Sequence, residues 1–135
     1  MRILAIDPGR VKFGYAVLTA GDRRVLSQGV AEVAQLVRVG QELVDRFQVT
    51  TVVIGDRTAG PQFAAILREG LKDHPLDLVL VGEDGSSREG RHRFLQANRR
   101  GWRRWFPLGL QSPWRPYDDY VAVVLGERYL DRCRR

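Results

Sequence analysis

The chain has 135 residues and a formal net charge of +6, and it contains one cysteine and two histidines. This length is enough for a single domain, expected over residues 1–135, that buries about two thirds of its unfolded surface. The composition leaves little material for an internal disulfide, a structural zinc site or a histidine-based triad, and the positive charge predicts a polyanionic partner, with nucleic acid favoured over acidic lipid.

The amino-terminal residues predict three strands joined by short turns. An apolar run over residues 3–6 is typical of a buried strand, and it ends at Asp7 before a proline-glycine turn. Strands over residues 13–18 and 24–30 follow, so an antiparallel meander is expected. A carboxylate at the end of a core strand is either a turn former or part of a site, because burying it is unfavourable without a cation or hydrogen-bond donors.

Helices and strands alternate over the remaining residues. Apolar residues at helical spacing predict the helices. Two continuous apolar runs, typical of strands buried on both faces, predict the strands. The pattern predicts helices over residues 32–47, 61–71, 86–98 and 117–130, strands over residues 51–55 and 76–81, and a long loop or mobile arm over residues 99–115. The order is that of an α/β fold in which helical crossovers add parallel strands to the meander.

Acidic residues recur where the predicted strands end. Asp7, Asp56 and Glu83 follow strands, and Asp118 and Asp119 begin the last helix. Ligands of open α/β sheets bind at the carboxyl ends of parallel strands, so these side chains are expected to converge. Two unit charges about 5 Å apart repel by about 3 kcal/mol at an effective dielectric constant of about 20. A divalent cation removes this repulsion, and oxygen ligands select Mg²⁺ or Mn²⁺, which predicts metal-assisted phosphodiester hydrolysis.

Each carboxylate also has a purely structural interpretation. Asp7 suits a turn, and Asp56, which precedes an arginine, suits a solvated turn pair. Asp118 and Asp119 suit the first turn of a helix, where the helix dipole favours negative charge. Glu83 suits a surface position after a strand.

Residues 88–115 interleave arginines with aromatic residues. Arginine neutralises phosphates and indole rings stack on unpaired bases, so this mixture favours single-stranded or junction-like nucleic acid. The alternative is a basic helix face with tryptophans that fill the core. Lys12 adds a charge beside a glycine turn, which allows close approach to phosphate. The candidate nucleic-acid-binding residues are Lys12, Arg88, Arg91, Arg99, Arg100, Trp102, Arg103 and Arg104.

Three segments in chain order carry recognisable motifs: Asp7-x-Gly9 with Lys12-Phe13-Gly14-x-Ala16, Glu83 with Ser86-Ser87-Arg88-Glu89, and Pro116-Tyr117-Asp118 with Val121-Ala122-Val123-Val124-Leu125 and Tyr129-Leu130. They resemble the motifs of the YqgF (RuvX) family, nucleases with a ribonuclease-H-like fold that are tied to maturation of precursor small-subunit ribosomal RNA. The resemblance covers nearly the whole chain.

The resemblance implies a five-stranded mixed sheet with an antiparallel second strand, flanked by helices. It also implies a metal-dependent nuclease in which Asp7, Glu83 and Asp118 are the catalytic, metal-binding carboxylates. The residues around Glu83 depart from the family pattern, and the Asp-Pro-Gly opening is more similar to the RuvC Holliday-junction resolvases. Asp56 is therefore an alternative or addition to Glu83, and Asp119 is an alternative to Asp118.

The leading hypothesis is a nuclease that uses Mg²⁺ or Mn²⁺ on structured or single-stranded RNA or DNA. Precursor ribosomal RNA is the favoured substrate, and precursor ribosomal particles are the expected partners. One alternative is a Holliday-junction resolvase acting on branched or single-stranded DNA, which needs a dimer to cut two strands. A second is a ribosome assembly factor with a degenerate site. A nucleotide-binding kinase fold would require a second domain. The sequence leaves the oligomeric state open. It predicts a cytoplasmic protein without membrane association, because no apolar run approaches the length that spans a bilayer.

Overall fold

The computed structural model describes residues 1–57, 59–82, 86–97 and 118–133. These residues form one five-stranded sheet and four α-helices. The strands are β1 (Arg2–Asp7), β2 (Lys12–Thr19), β3 (Val25–Glu32), β4 (Thr51–Gly55) and β5 (Asp77–Val81). The helices are α1 (Leu36–Phe47), α2 (Gly60–Gly70), α3 (Ser86–Ala97) and α4 (Asp118–Cys133). None of these helices is long and apolar enough to cross a membrane.

The sheet is mixed and has the strand order β3-β2-β1-β4-β5. The antiparallel pairs are β1 with β2 and β2 with β3, whereas β1 pairs with β4 and β4 with β5 in parallel. The predicted α/β class, the antiparallel second strand and the order of elements are therefore confirmed. The carboxyl ends of the three parallel strands β1, β4 and β5 meet at one edge of the sheet.

The predicted boundaries differ from the observed ones mainly after β3. The helix expected from residue 32 begins at residue 36, because the ladder continues to the pair of Lys12 with Glu32 and a 3-10 turn follows at Val33–Gln35. The Val33 nitrogen donates to the carbonyl oxygen of Val11 over 2.8 Å, which holds this segment beside the sheet. The arm predicted over residues 99–115 lies outside the described residues.

The two faces of the sheet bury different side chains. On the face covered by α1 and α2, here the α1–α2 face, large residues such as Leu4, Ile6 and Phe13 are at most 1% exposed. Phe13 meets Phe63 of α2 edge to face, with ring centroids 6.0 Å apart. On the opposite face, here the α4 face, small residues alternate with aliphatic ones along the central strands, for example Ala16 beside Leu18.

Small residues bring α4 close to the sheet. A Cβ atom at Gly14 would collide with the Asp118 carbonyl group and would lie 2.5 Å from the Asp119 nitrogen. Two turns along the helix, a Cβ atom at Gly126 would lie 2.9 Å from a methyl group of Leu18. The backbone of α4 therefore rests directly on β2, with its first turn at the carboxyl end of β1.

Candidate active site

Asp7 and Asp118 meet at the edge where the parallel strands end. Asp7 is the last residue of β1 and pairs with Gly14 of β2, so both residues face the same side of the sheet. Gly14 lies against the Asp118 backbone, which places the first residue of α4 over Asp7. A side-chain hydrogen bond with Asp7 is one of the influences on the pKa of Asp118, so the two carboxyl groups lie within hydrogen-bond reach of each other. Asp7 is only 9% exposed and Asp118 is half-buried.

The surroundings of Asp118 change its affinity for a proton. Burial raises the pKa of the Asp118 carboxyl above its ordinary value of 3.8, and the negative charge of Asp119 adds to the rise. The hydrogen bond with Asp7 and the positive charge of Lys12 act in the opposite direction. The Asp118 carboxyl therefore holds a proton more readily than an exposed carboxylate does, and a bound cation would lower its pKa again.

Asp119 has a different environment from its neighbour. It is 3% exposed, and its Oδ2 atom accepts a hydrogen bond of 2.9 Å from Nε2 of Gln28 in β3. Successive residues of a helix point about 100° apart, so Asp118 and Asp119 leave the helix in different directions. Asp118 is the acid beside Asp7, and Asp119 points toward β3.

Lys12 is exposed at the start of β2, two residues from Gly14 on the same side of the strand. Its charge acts on the Asp118 carboxyl, so it lies at the edge of the acid pair. A cation here, next to two carboxylates, suits an anionic ligand that approaches the same edge.

The other predicted acids lie at or beyond the ends of β4 and β5. Asp56 is exposed, and its backbone nitrogen donates to the Val81 carbonyl oxygen over 3.0 Å. A Cβ atom at Gly82, the residue after β5, would lie 3.9 Å from Oδ2 of Asp56. Glu83 follows Gly82 in the sequence and lies outside the described residues, so its role as the third carboxylate stays a prediction.

The described residues supply two of the three predicted metal ligands. Within residues 1–57, 59–82, 86–97 and 118–133, no three histidine, cysteine, aspartate or glutamate side chains come close enough to hold a metal ion. Asp7 and Asp118 provide carboxylate oxygens, the ligands that hard divalent cations prefer, and their pairing inside a half-buried edge fits such an ion.

The described arginines of the predicted binding surface lie on α3. Arg88 is exposed and Arg91 is half-buried. Their neighbour Arg93 is held by Glu89 at 2.9 Å and by Glu127 of α4 at 2.8 Å, so it serves the contact between the two helices. The remaining predicted binding residues, Arg99, Arg100, Trp102, Arg103 and Arg104, lie outside the described part of the chain.

Two residues near the site carry no distinctive sequence signal. Gln28 lies in a strand where a polar residue normally faces solvent, and the sequence does not show that it reaches Asp119. Arg128, near the end of α4, donates from Nη1 to the Gly82 carbonyl oxygen over 3.2 Å. Both contacts join segments distant in sequence, so only the folded chain reveals them.

No protein-family model matches the chain, and neither does any curated protein sequence. Solved structures do match over almost its full length. RuvC of Thermus thermophilus in complex with a Holliday junction substrate superposes with a TM-score of 0.68 at 16% identity, covering 99% of this chain and 95% of that chain. The protein has the ribonuclease-H-like fold.

Two further solved structures are similar to the chain over nearly its whole length. A second Thermus thermophilus RuvC structure gives a TM-score of 0.66 at 16% identity, over 99% of this chain and 96% of that one. The fowlpox virus resolvase in complex with Holliday junction DNA gives 0.65 at 10% identity and covers both chains fully, at 100% each. The fold implied by the resemblance to the YqgF (RuvX) family is thereby confirmed, and the neighbours that show it are resolvases.

Proposed function

We propose that this protein is a divalent-metal-dependent nuclease that hydrolyses phosphodiester bonds in branched DNA, as a Holliday-junction resolvase does. The observation that carries the proposal is the pair of Asp7 and Asp118, joined at the carboxyl end of β1. This pair occurs in a fold that matches junction resolvases over 99% of the chain.

The proposed metal ligands are Asp7 and Asp118, with Glu83 as the third carboxylate from the segment after β5. When bound, Mg²⁺ or Mn²⁺ supplies activation of water and stabilisation of the leaving oxygen. The chain itself contributes the two carboxylates, held by packing of α4 on Gly14. Lys12 supplies positive charge at the same edge, where it can bind a phosphate next to the scissile one.

The charge of the chain supports nucleic acid as the substrate. A net charge of +6 attracts a polyanion, and Arg88 and Arg91 lie on α3, which packs on α4 where Gly90 meets Val121. Symmetric cutting of a four-way junction requires two active sites, so the protein is expected to be dimeric on that substrate.

A second candidate substrate is precursor small-subunit ribosomal RNA. The observation that favours it is the presence of the three YqgF-like motifs, at Asp7, Glu83 and Asp118, in family order. Under this proposal the same carboxylates act on RNA, precursor ribosomal particles are the partners, and no dimer is needed. Cytoplasmic location suits both candidates and is likewise proposed.

The test compares substrates, metals and one acid substitution. Purified protein is incubated with a labelled four-way junction, precursor ribosomal RNA, linear duplex and single strands, in Mn²⁺, Mg²⁺ or EDTA. We expect metal-dependent cutting of the junction that Asp7→Asn lowers by about 100- to 1,000-fold, the range seen when one stabilising group is removed from an active site. The matched control is Asp73→Asn, which alters an exposed acid beyond the end of α2.

Each other outcome contradicts a defined part of the proposal. Equal cutting by Asp7→Asn and the wild type would reject the metal site. Preferential cutting of precursor ribosomal RNA would show that this RNA, and not the four-way junction, is the substrate. Binding without cutting in every metal would indicate a ribosome assembly factor with a degenerate site.

A further inference from the structure

A glutamine in the middle of β3 makes a hydrogen bond to the helix that carries Asp118. Gln28 pairs with Ala16 of β2 and therefore shares the α4 face of the sheet. From this position the side chain of Gln28 reaches the first turn of α4. Its Nε2 atom donates to Oδ2 of Asp119 over 2.9 Å.

This hydrogen bond supplies a donor to one oxygen of a buried carboxylate. Asp119 is 3% exposed, and a carboxylate so far from water requires hydrogen-bond donors or a cation. Gln28 is half-buried where β3 contacts α4. The donor and the acceptor therefore hold each other in one arrangement.

The first turn of α4 is consequently fixed at two points. The backbone of Asp118 and Asp119 lies on Gly14, which sets the height of the turn above the sheet. The hydrogen bond from Gln28 to Asp119 sets the rotation of the turn about the helix axis. Because adjacent residues are about 100° apart around that axis, the rotation decides whether Asp118 points at Asp7.

We infer that Gln28 is a positioning residue, which orients α4 so that Asp118 and Asp7 face a common metal ion. The inference rests on the proposed function, since it assigns Gln28 a task in the same site. Gln28 itself touches neither the substrate nor the ion. Its effect passes through Asp119, and residues that orient metal ligands from outside the ligand set typically change metal affinity or activity by about 10- to 100-fold.

The first experiment removes the donor. Gln28→Leu keeps the approximate size of the side chain and deletes the amide. We expect the Mn²⁺ concentration for half-maximal cutting to rise about 10-fold, with weaker Mn²⁺ binding in calorimetry. Gln41→Leu is the matched control, since Gln41 is an exposed glutamine of α1 whose Nε2 donates to the Gly70 carbonyl oxygen over 3.3 Å. This control should leave both readouts at wild-type values.

The second experiment reverses the direction of the hydrogen bond. Gln28→Glu places two carboxylates against each other and should weaken Mn²⁺ binding more than Gln28→Leu does. Adding Asp119→Asn to Gln28→Glu restores one donor and one acceptor in the opposite order. We expect this double variant to recover Mn²⁺ binding and cutting to within about 3-fold of the wild type. A residue that only fills space would not show this recovery.

The outcomes separate this inference from the proposed function. If Asp7→Asn abolishes cutting while Gln28→Leu keeps wild-type Mn²⁺ binding and cutting, Gln28 has no positioning role and the proposed nuclease stands. If Gln28→Leu or Gln28→Glu fails to fold by circular dichroism, recovery in the double variant decides, and a folded double variant without recovered Mn²⁺ binding overturns the inference. A wild-type protein that binds no Mn²⁺ and cuts nothing overturns both proposals.

Discussion

The α1–α2 face and the α4 face of the sheet use the same strands in opposite ways. On the α1–α2 face, large side chains such as Leu4, Ile6 and Phe13 hold the helices away from the strands. On the α4 face, Gly14 and Ala16 let the helix backbone rest on the sheet. A carboxylate of α4 can reach a carboxylate of β1 because the helix backbone lies directly on the sheet at this face.

This division separates stability from chemistry. Buried apolar area on the α1–α2 face contributes to the free energy of unfolding without touching the acids. The α4 face adds buried polar groups at its end, where each carboxylate costs stability unless it is hydrogen bonded. Substitutions on the α1–α2 face should therefore lower the free energy of unfolding and leave the activity of the folded protein unchanged. Substitutions at the end of the α4 face should change the activity as well. Four predictions test this difference.

The largest expected effect on stability comes from the α1–α2 face. Phe63→Ala should lower the free energy of unfolding by about 3–5 kcal/mol, because it leaves a cavity against Phe13. Urea denaturation measures this loss, and junction cutting per folded molecule should remain at the wild-type level at low temperature. A loss of cutting larger than the loss of folded protein would show that the two faces are not independent.

A smaller stability effect, joined by a loss of activity, is expected at Gly14. Gly14→Ala inserts a methyl group where the Asp118 carbonyl group lies, so the first turn of α4 must move away from β1. Overpacking of this kind costs about 1–3 kcal/mol, and cutting should fall beyond what unfolding explains. Gly21→Ala is the control, because a Cβ atom at Gly21 has no neighbour within 4 Å. Equal effects of the two substitutions would contradict the close contact.

The third prediction concerns pH dependence in EDTA. The pKa of Asp118 is raised above 3.8 in the folded protein, so the folded state keeps this proton when the unfolded state has lost it. The free energy of unfolding should therefore fall as the pH rises from about 3.8 through the raised pKa. Asp118→Asn should remove that part of the decline and make the metal-free protein more stable at neutral pH.

Mn²⁺ should reverse the order of stability of the wild type and Asp118→Asn. Mn²⁺ bound to the folded state stabilises the wild type through linkage and should stabilise Asp118→Asn less. Thermal melts in EDTA and in Mn²⁺ measure both effects. A wild type whose stability rises across the same pH interval, with no difference from Asp118→Asn, would reject the assigned environment of Asp118.

The smallest expected effect is on the salt dependence of the affinity for the four-way junction. Lys12→Gln should reduce the slope of log affinity against log salt by about 0.9 on duplex arms, the value for one lost phosphate contact. Lys72→Gln is the matched control, since Lys72 is the other lysine and lies beyond the end of α2, 3.3 Å from Glu69. An unchanged slope for Lys12→Gln would remove Lys12 from the phosphate-binding surface.

Much of the fold follows from local sequence patterns. The continuous apolar run that forms β4 is buried throughout, as expected for a central parallel strand. The same expectation is wrong for β5, because β5 is the edge strand and leaves Leu80 42% exposed. The apolar spacing of α1 and α2 follows the helical period. Asp7 could be placed at the carboxyl edge because the end of β1 is marked by a turn signal. The element order then sufficed for the α/β class and the mixed sheet.

The details of the site depended on packing that no local pattern records. The sequence left Asp118 and Asp119 as alternatives, because choosing between them requires the rotation of α4 about its axis. Gln28 was missed since its partner is distant in the sequence and a polar residue in an antiparallel strand normally faces water. The spacing from Val33 to Leu36 is helical and predicts an earlier start for α1, but Glu32 completes the ladder with Lys12 and a 3-10 turn follows.

The pairing of Asp7 with Asp118 joins two residues from distant parts of the sequence, and α4 must dock before they meet. A chain still being synthesised, with β1 formed and α4 not yet made, has one half of the carboxylate pair and none of the close helix contact. Hydrolytic activity under the proposed function therefore requires α4 to be docked on the sheet, and it cannot arise from β1 alone.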